Sequence, residues 1–201
     1  MKAGIAIAGC LLAVCLSSVS PAIPLTQQPN KREHFSALAY MPAGAGVAMV
    51  GAGTRVNVDL RIKSYTTDEE ARTLAGLLVD GGPDALLKAL KQVDSKGNIT
   101  ITGRVGFYDF KLIRSHRTPT GRRIYAVGDR PVGFLEAYHS GRSRDYEFGI
   151  VQLDLKQKSN GGESGEGALI YAAKIKLLDG KRLDVETYGI EPIRLLSVRK
   201  L

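Results

Sequence analysis

The stretch TRVNVDLRIKSY, residues 54–65, decides the fold class because apolar and polar residues alternate along it. NITITGRV, residues 98–105, repeats the alternation. A period of two indicates strands with one buried and one solvated face, which is typical of antiparallel sheets. The residues predicted to lie on the buried faces are Val56, Val58, Leu60, Ile62, Ile99, Ile101 and Val105.

Further apolar runs, separated by turn residues such as Pro119-Thr120-Gly121, predict strands over most of the chain. These runs cover residues 35–41, 107–116, 122–127, 132–138, 146–156, 168–178, 182–188 and 193–199. The expected fold is mainly β (α+β), an antiparallel β-sandwich or β-barrel of about nine to ten strands. The sequence leaves the choice between sandwich and barrel open.

One helical insertion, residues 67–93, follows the second predicted strand. It opens on Thr66-Thr67-Asp68-Glu69-Glu70, a capping-box pattern that places carboxylates in the first turn. Gly81-Gly82 breaks the helix, and Pro83 suits the first turn of a second one. Leucines recur at helical spacing on both halves. We therefore expect a helical hairpin that packs on the sheet or caps one end of a barrel.

Two glycine-rich stretches are predicted to be loops. SNGGESGEG, residues 159–167, is expected to form a mobile hairpin loop, and it lacks the alternating oxygen ligands of a calcium loop. GAGVAMVGAG, residues 44–53, has Met49 where a dinucleotide-binding GxGxxG pattern requires glycine. Neither stretch therefore predicts a cofactor site.

The N-terminus is typical of a secretory signal peptide. Lys2 precedes an apolar run at residues 3–16, and Ser20-Pro21-Ala22 resembles a cleavage site. The run is too short for a membrane-spanning helix, which needs ~20 residues. We expect export to the periplasm or the cell exterior, and the sequence predicts no transmembrane segment in the mature chain.

Cleavage after Ala22 would leave a flexible arm, residues 23–34, and a single β-rich domain, residues 35–201. Both cysteines, Cys10 and Cys15, lie in the part removed, so the mature chain has no disulfide and no thiolate metal site. Ile7-Ala8-Gly9-Cys10 imitates a bacterial lipidation box, and a form lipid-anchored at Cys10 is the alternative to free export.

Five segments together resemble a family of uncharacterised secreted proteins of acidobacteria and related bacteria. They are EHFSALAYMP (33–42), SYTTDEEARTLAGLLVDGGPDALLKALKQ (64–92), GRVGFYDFKLIRS (103–115), DRPVGFLEAY (129–138) and EGALIYAAKIKLLDG (166–180). The resemblance covers residues 33–199 and implies a bacterial, exported, single-domain protein. It carries no activity, ligand or site residue over to this chain.

Candidate catalytic residues lie in VGDRPVGFLEAYHSGRSRDYEFG, residues 127–149. Glu136 with His139 could act as an acid–base pair, and Glu136 with Asp145 as a pair of glycosidase carboxylates. A secreted hydrolase using these three residues is therefore one alternative function. The chain has three histidines, all far apart in sequence, so no metal or cofactor site is predicted.

Positive charge is concentrated between residues 111 and 144. This stretch holds eight basic residues against Asp129 and Glu136, whereas the rest of the mature chain is nearly neutral. Seven of the eight are arginine, whose planar fork binds phosphate, sulfate or carboxylate through two donors. The eight are Lys111, Arg114, Arg117, Arg122, Arg123, Arg130, Arg142 and Arg144.

A hairpin around residues 118–121 would pair Arg117 with Arg122 and His116 with Arg123. Like charges placed opposite one another destabilise a hairpin, so an anionic partner would explain them. The predicted ligand-binding residues are Arg114, His116, Arg123, Tyr125, Arg142 and Arg144.

The favoured function is non-enzymatic binding of an anionic polymer, a lipid headgroup, a small anion or another envelope component. Nucleic acid is a weaker candidate, because few aromatic residues are interleaved with the cations. Another alternative is a structural envelope protein without a ligand, in which the arginines only keep the strand edges from pairing with other chains.

Overall fold

The computed structural model describes residues 31–40, 55–132, 145–159, 161–178, 182–187 and 191–201. These residues form ten strands and one interrupted helix. The strands are β1 (Glu33–Tyr40), β2 (Arg55–Ile62), β3 (Gly97–Ile101), β4 (Tyr108–Phe110), β5 (Leu112–Thr118), β6 (Gly121–Gly128), β7 (Phe148–Gln157), β8 (Glu163–Leu178), β9 (Arg182–Thr187) and β10 (Ile193–Lys200), and the helix is α1 (Asp68–Leu90).

All of these strands pair antiparallel in one sheet, in the order β4-β3-β2-β1-β10-β8-β7-β6-β5, with β9 pairing the far end of β8. The predicted antiparallel, mainly β fold is confirmed. Alternation explains the pairing, because the inward positions of β1, β2 and β7, apart from Glu33, are apolar and mostly buried, whereas the residues between them are in general more exposed.

The two ends of this order lie next to each other in the chain. Only Lys111 separates β4, which pairs with β3, from β5, which pairs with β6. Beyond β2, the Thr66 amide donates to the Ile113 carbonyl, and the Ile113 amide donates to Thr66 Oγ1, both at 2.9 Å. The sheet is therefore a nearly closed, barrel-like structure rather than a two-layer sandwich.

Two apolar clusters cover the two faces of the sheet. The inner cluster fills the barrel-like interior with side chains such as Phe35, Ile99 and Phe110. The second lies on the outer face, where leucines of α1 pack against residues of β5 to β8. Its members include Leu78, Leu87, Leu90, Val127, Phe148, Ile170 and Ala173.

The helical insertion has its predicted position and break. Thr67 caps α1, since its hydroxyl accepts from the Glu70 amide at 3.1 Å and Glu70 Oε2 accepts from the Thr67 amide at 2.8 Å. Gly82, with φ 73°, interrupts the helix just before Pro83. Both halves pack on the sheet face, so of the two expected placements the structure shows the first. No helix in the described ranges is long and apolar enough to cross a membrane.

Several predicted boundaries are wrong. The predicted arm ends too late, because β1 begins at Glu33. The expected mobile loop at 159–167 is mostly strand, since β8 begins at Glu163. The predicted strand 98–105 ends at Ile101, and Val105, expected on the buried face, is fully exposed.

The predicted strand 107–116 is interrupted at Lys111. Most of the predicted strand 132–138, the glycine-rich stretch 44–53 and the predicted signal peptide lie outside the described residues.

Candidate anion-binding face

The β5–β6 hairpin has the register that the sequence predicts. Arg117 faces Arg122, His116 faces Arg123, and Arg114 faces Tyr125 across the ladder. Four of the six predicted site residues therefore lie together on the outer face of the sheet. Arg142 and Arg144, the other two, lie outside the described residues.

Arg114 connects the sheet to the helix. It is only 7% exposed, and its guanidinium donates to the Thr66 carbonyl at 3.0 Å and contacts Asp68 Oδ1 at 2.6 Å. Asp68 is the first residue of α1. Arg114 therefore holds the start of the helix against β5, and both terminal nitrogens of its guanidinium contact protein acceptors.

Arg123 is also paired within the protein. Its Nε donates to Asp154 on β7, and Gln152 Nε2 donates to the other oxygen of that carboxylate at 2.7 Å. The hydrogen bond to Asp154 raises the pKa of Arg123. Because the side chain is still 37% exposed, part of its fork remains open to solvent.

His116 and Tyr125 lie between these two arginines, with their rings edge to face and the centroids 6.1 Å apart. Burial, together with the charges of Arg114 and Arg123, lowers the pKa of His116, so its ring is neutral at neutral pH. His116 Nε2 is buried and makes no hydrogen bond to any described residue. Tyr125 Oη is also buried without a hydrogen bond of normal geometry, although it lies near enough to Arg123 to add to that group's raised pKa. Buried polar atoms of this kind normally have a partner.

The alternative catalytic residues are not assembled in the described part of the chain. Glu136 and His139 lie outside it, and Asp145 is exposed. The described residues also contain no group of three or more His, Cys, Asp or Glu that could hold a metal ion.

An open groove of about 820 Å³ adjoins the predicted site on the outer face of β7, β8 and β10. We call it the outer groove. Its lining includes Gln152, Asp154, Lys156, Lys158, Glu166 and Arg199. The strand register links the two regions, because Tyr125 faces Gln152 and Arg123 faces Asp154.

Three cations of the outer groove are exposed: Lys156, Lys158 and Arg199. None of them lies within ion-pair distance of an acidic group among the described residues, which distinguishes them from Arg114, Arg122 and Arg123. Glu166, also exposed, supplies a carboxylate on the same wall. The groove thus combines net positive charge with a hydrogen-bond acceptor.

The wall of the groove contains a strained residue. Ser197 has φ 51°, a left-handed conformation that is uncommon for a residue with a side chain, and it lies in an irregularity of β10 between Leu195 and Val198. Strained backbone of this kind is concentrated at functional sites, where the surrounding structure maintains it. The outer groove therefore contains a strained residue in its wall.

A second polar cluster, which the sequence analysis missed, lies at one end of the barrel. The Glu33 side chain has no solvent exposure, and its carboxylate accepts two hydrogen bonds from Arg122, both at 2.9 Å, and one from Lys200 at 2.7 Å. The Tyr65 hydroxyl donates to the same carboxylate, and Arg122 also donates to Glu163 at 2.6 and 2.7 Å. We call this set the end network.

The positive and negative charges of the end network pair with one another. Burial would raise the pKa of Glu33, but hydrogen bonds from Arg122, Lys200 and Tyr65 outweigh it and lower the pKa to about 2. Burial and the neighbouring Glu33 raise the pKa of Tyr65, so the phenol stays protonated. One sequence signal points to Glu33: continuing the alternation of β1 back from Phe35 places it on the inward face.

Comparison of the chain with protein-family models, with curated proteins and with solved structures gave no match.

Proposed function

We propose that the protein is an exported, non-enzymatic binding protein that holds an anionic ligand in the outer groove. The observation that carries the proposal is the set of three exposed cations, Lys156, Lys158 and Arg199, which have no acidic partner among the described residues. Cations without internal partners remain available to an external anion.

The predicted site residues take different roles in this proposal. Arg123 would contribute the exposed part of its guanidinium to the ligand. His116 and Tyr125 would only support the face next to the groove, because His116 Nε2 and Tyr125 Oη are buried. Arg114 would only support the wall, because its donors bind Asp68 and the Thr66 carbonyl. Much of the positive charge that suggested a binding surface is thus used within the fold, and the binding cations lie on the next strands.

The ligand would carry both anionic and hydroxyl groups. Arg199 and the two lysines suit carboxylate, sulfate or phosphate, whereas Glu166 and Gln152 can accept hydrogen bonds from hydroxyl groups. An acidic envelope polysaccharide fits this combination. A polyphosphate or nucleic acid, which is more densely charged, would be repelled by Glu166.

Export is the second part of the proposal. It is supported by the basic, apolar and small-residue pattern of residues 1–22 and by the resemblance to secreted acidobacterial proteins. N-terminal sequencing of protein recovered from the periplasm or medium of expressing bacteria tests it. A new N-terminus at Ile23 is expected, whereas an intact Met1 in cytoplasmic fractions would contradict export.

Binding is tested by retention on immobilised polyuronate, sulfated polysaccharide, polyphosphate and DNA across a salt series. The variant carries Lys156→Gln, Lys158→Gln and Arg199→Gln, and its affinity for the retained polymer should fall by at least about tenfold, equivalent to about 1.4 kcal/mol. Added salt should lower the affinity of the wild-type protein for the polymer more than that of the variant, because fewer charges contribute to the variant's binding.

The matched control removes the same charge elsewhere, through Arg61→Gln, Lys88→Gln and Lys91→Gln. These three residues are exposed and have no acidic partner among the described residues. The control should bind as the wild type does. Equal losses in both variants would show that only net charge matters and would refute a groove-specific site.

A further inference from the structure

Among the described residues, several arginines and tyrosines lie at the barrel end opposite the end network. Tyr40 pairs with both Arg55 and Arg194 across the ladder, and the Arg55 guanidinium lies 5.8 Å from the Tyr40 ring centroid. Arg130 lies 6.0 Å from the Tyr108 ring centroid. We call this set, together with Arg104, the rim.

Two apolar side chains project beyond the rim. Residues 102–107 connect β3 to β4, and in this turn Val105 is fully exposed and Phe107 is 53% exposed. Gly103 and Gly106, with φ 83° and 94°, lie on either side of Val105 in left-handed conformations that form the turn. The base of the turn is fixed, because the Thr102 amide donates to the Asn57 carbonyl at 2.9 Å.

The rim carries net positive charge. None of its four arginines forms an ion pair with an acidic group in the described part of the chain, and Arg130 donates only to the Phe107 carbonyl, at 3.3 Å. Among the described residues, Asp129, Asp145, Glu147 and Glu191 lie next to this end, and none of them is within ion-pair distance of a rim arginine. The rim arginines therefore remain available to an anionic surface, and Arg104 and Arg130 lie beside the exposed turn itself.

We propose that the rim docks on an anionic lipid surface, with Val105 and Phe107 inserted among the acyl chains and the arginines contacting headgroups. Tyrosine and arginine are the side chains that favour the boundary between lipid and water. A short apolar tip combined with basic residues is the combination by which peripheral proteins bind anionic membranes. This contact is separate from the outer groove and does not depend on it.

An exposed apolar residue on α1 does not have these properties. Val79 is 56% exposed, but Asp80 follows it directly and Asp84 lies just beyond the break at Gly82. Acidic neighbours would repel an anionic lipid surface. Val79 and the turn with Val105 and Phe107 are thus similar in exposure but differ in the charge of their neighbours, which makes Val79 a matched control.

The test exploits the absence of tryptophan from the chain. Phe107→Trp introduces a single indole at the tip, and Val79→Trp introduces one on the helix. Protein as recovered from the expressing cells is mixed with vesicles of phosphatidylcholine, with or without phosphatidylglycerol. We expect a blue shift, and quenching by brominated lipids, only at position 107 and only when phosphatidylglycerol is present.

Three results separate the outcomes. Adding Arg104→Gln and Arg130→Gln should lower the vesicle partition coefficient roughly tenfold or more, whereas the triple groove variant should leave insertion at position 107 unchanged. Absence of any shift at position 107, or equal shifts at positions 107 and 79, would overturn the proposal. Loss of insertion in the groove variant would also overturn it, because lipid headgroups would then be ligands of the groove.

Discussion

A carboxylate without solvent contact, such as that of Glu33, is stable only when hydrogen-bond donors and cations surround it. Arg122, Lys200 and Tyr65 surround it here, and Lys31 lies 3.2 Å away. Removal of the charge would leave the Arg122 and Lys200 groups partly buried beside a neutral side chain. The end network should therefore respond strongly to substitution and to acid.

The low pKa of Glu33 makes the free energy of unfolding depend on pH in the acid range. The folded-state pKa of Glu33, about 2, lies below its ordinary value of 4.5, so the folded state binds fewer protons between these limits. The stabilisation is complete above pH 4.5 and is lost as pH falls towards 2, by about 3 kcal/mol. Urea unfolding measured at successive pH values should show this decrease in the free energy of unfolding.

Glu33→Gln should remove that part of the pH dependence and lower the free energy of unfolding at neutral pH by about 3 kcal/mol or more. The matched control is Glu166→Gln, an exposed carboxylate without an ion pair among the described residues, which should change stability by no more than about 0.5 kcal/mol. Identical acid profiles of wild type and Glu33→Gln would contradict the assigned role of this residue.

At the scale of elements, α1 contains two glycines with opposite requirements. Gly82 has φ 73°, which a residue with a side chain adopts only with strain, and it divides the helix. Gly76 lies within the first half, and a Cβ atom added to it would meet no other atom within 4 Å. The same substitution should therefore have opposite effects at the two positions.

Gly82→Ala should destabilise the protein by about 1 kcal/mol because of the strained backbone, whereas Gly76→Ala should stabilise it by about 0.5–1 kcal/mol through helix propensity. Thermal unfolding of the two variants beside the wild type measures both. Shifts of the same sign would show that the break at Gly82 is not imposed by its backbone conformation.

Elements were predictable where local chemistry determines them. The turn at Pro119-Thr120-Gly121 fixes the β5–β6 register, and Thr67 with Gly82 fixes the start and the break of α1. The end of β3 was not predictable, because Val105 continues the alternation while Gly103 turns the chain out of the sheet. Glu163 was assigned to a loop because glycines surround it, yet pairing with Gln157 of β7 makes it strand.

The candidate site was predictable only in part, for a related reason. Register shows which residues face one another on adjacent strands, so Arg114, His116, Arg123 and Tyr125 were placed together correctly. The partners that neutralise Arg122 are 41 and 89 positions away, at Glu163 and Glu33. A single sequence does not indicate which distant strands become neighbours, and it therefore did not show which arginines remain unpaired.

At the scale of the whole molecule, the barrel depends on the junction between the end of β2 and β5. Thr66 is 1% exposed, and its hydroxyl accepts from the Ile113 amide while its carbonyl accepts from Arg114. This residue therefore joins the segment that follows β2 to the edge strand β5, although no regular ladder pairs β2 with β5. Its loss should loosen the closure without changing either strand.

Thr66→Val retains the shape but removes the acceptor, and it leaves the Ile113 amide buried without that hydrogen bond. The free energy of unfolding should fall by about 1–3 kcal/mol, and hydrogen exchange of the Ile113 amide should become faster than that of amides in the centre of β7. Thr73→Val, which removes an exposed hydroxyl from α1, should have a much smaller effect. Unchanged protection at Ile113 would contradict the role of Thr66 in closure.

The pairing of β1 with β10 has a consequence for how the chain reaches this structure. Glu33 and Lys200 are 167 positions apart, yet they belong to adjacent strands. A ribosome that has completed nine strands has therefore made a sheet that still lacks the neighbour on one edge of β1, and a buried charge that still lacks its lysine. The sheet is therefore complete only once β10 has inserted between β1 and β8, after the other nine described strands have been made.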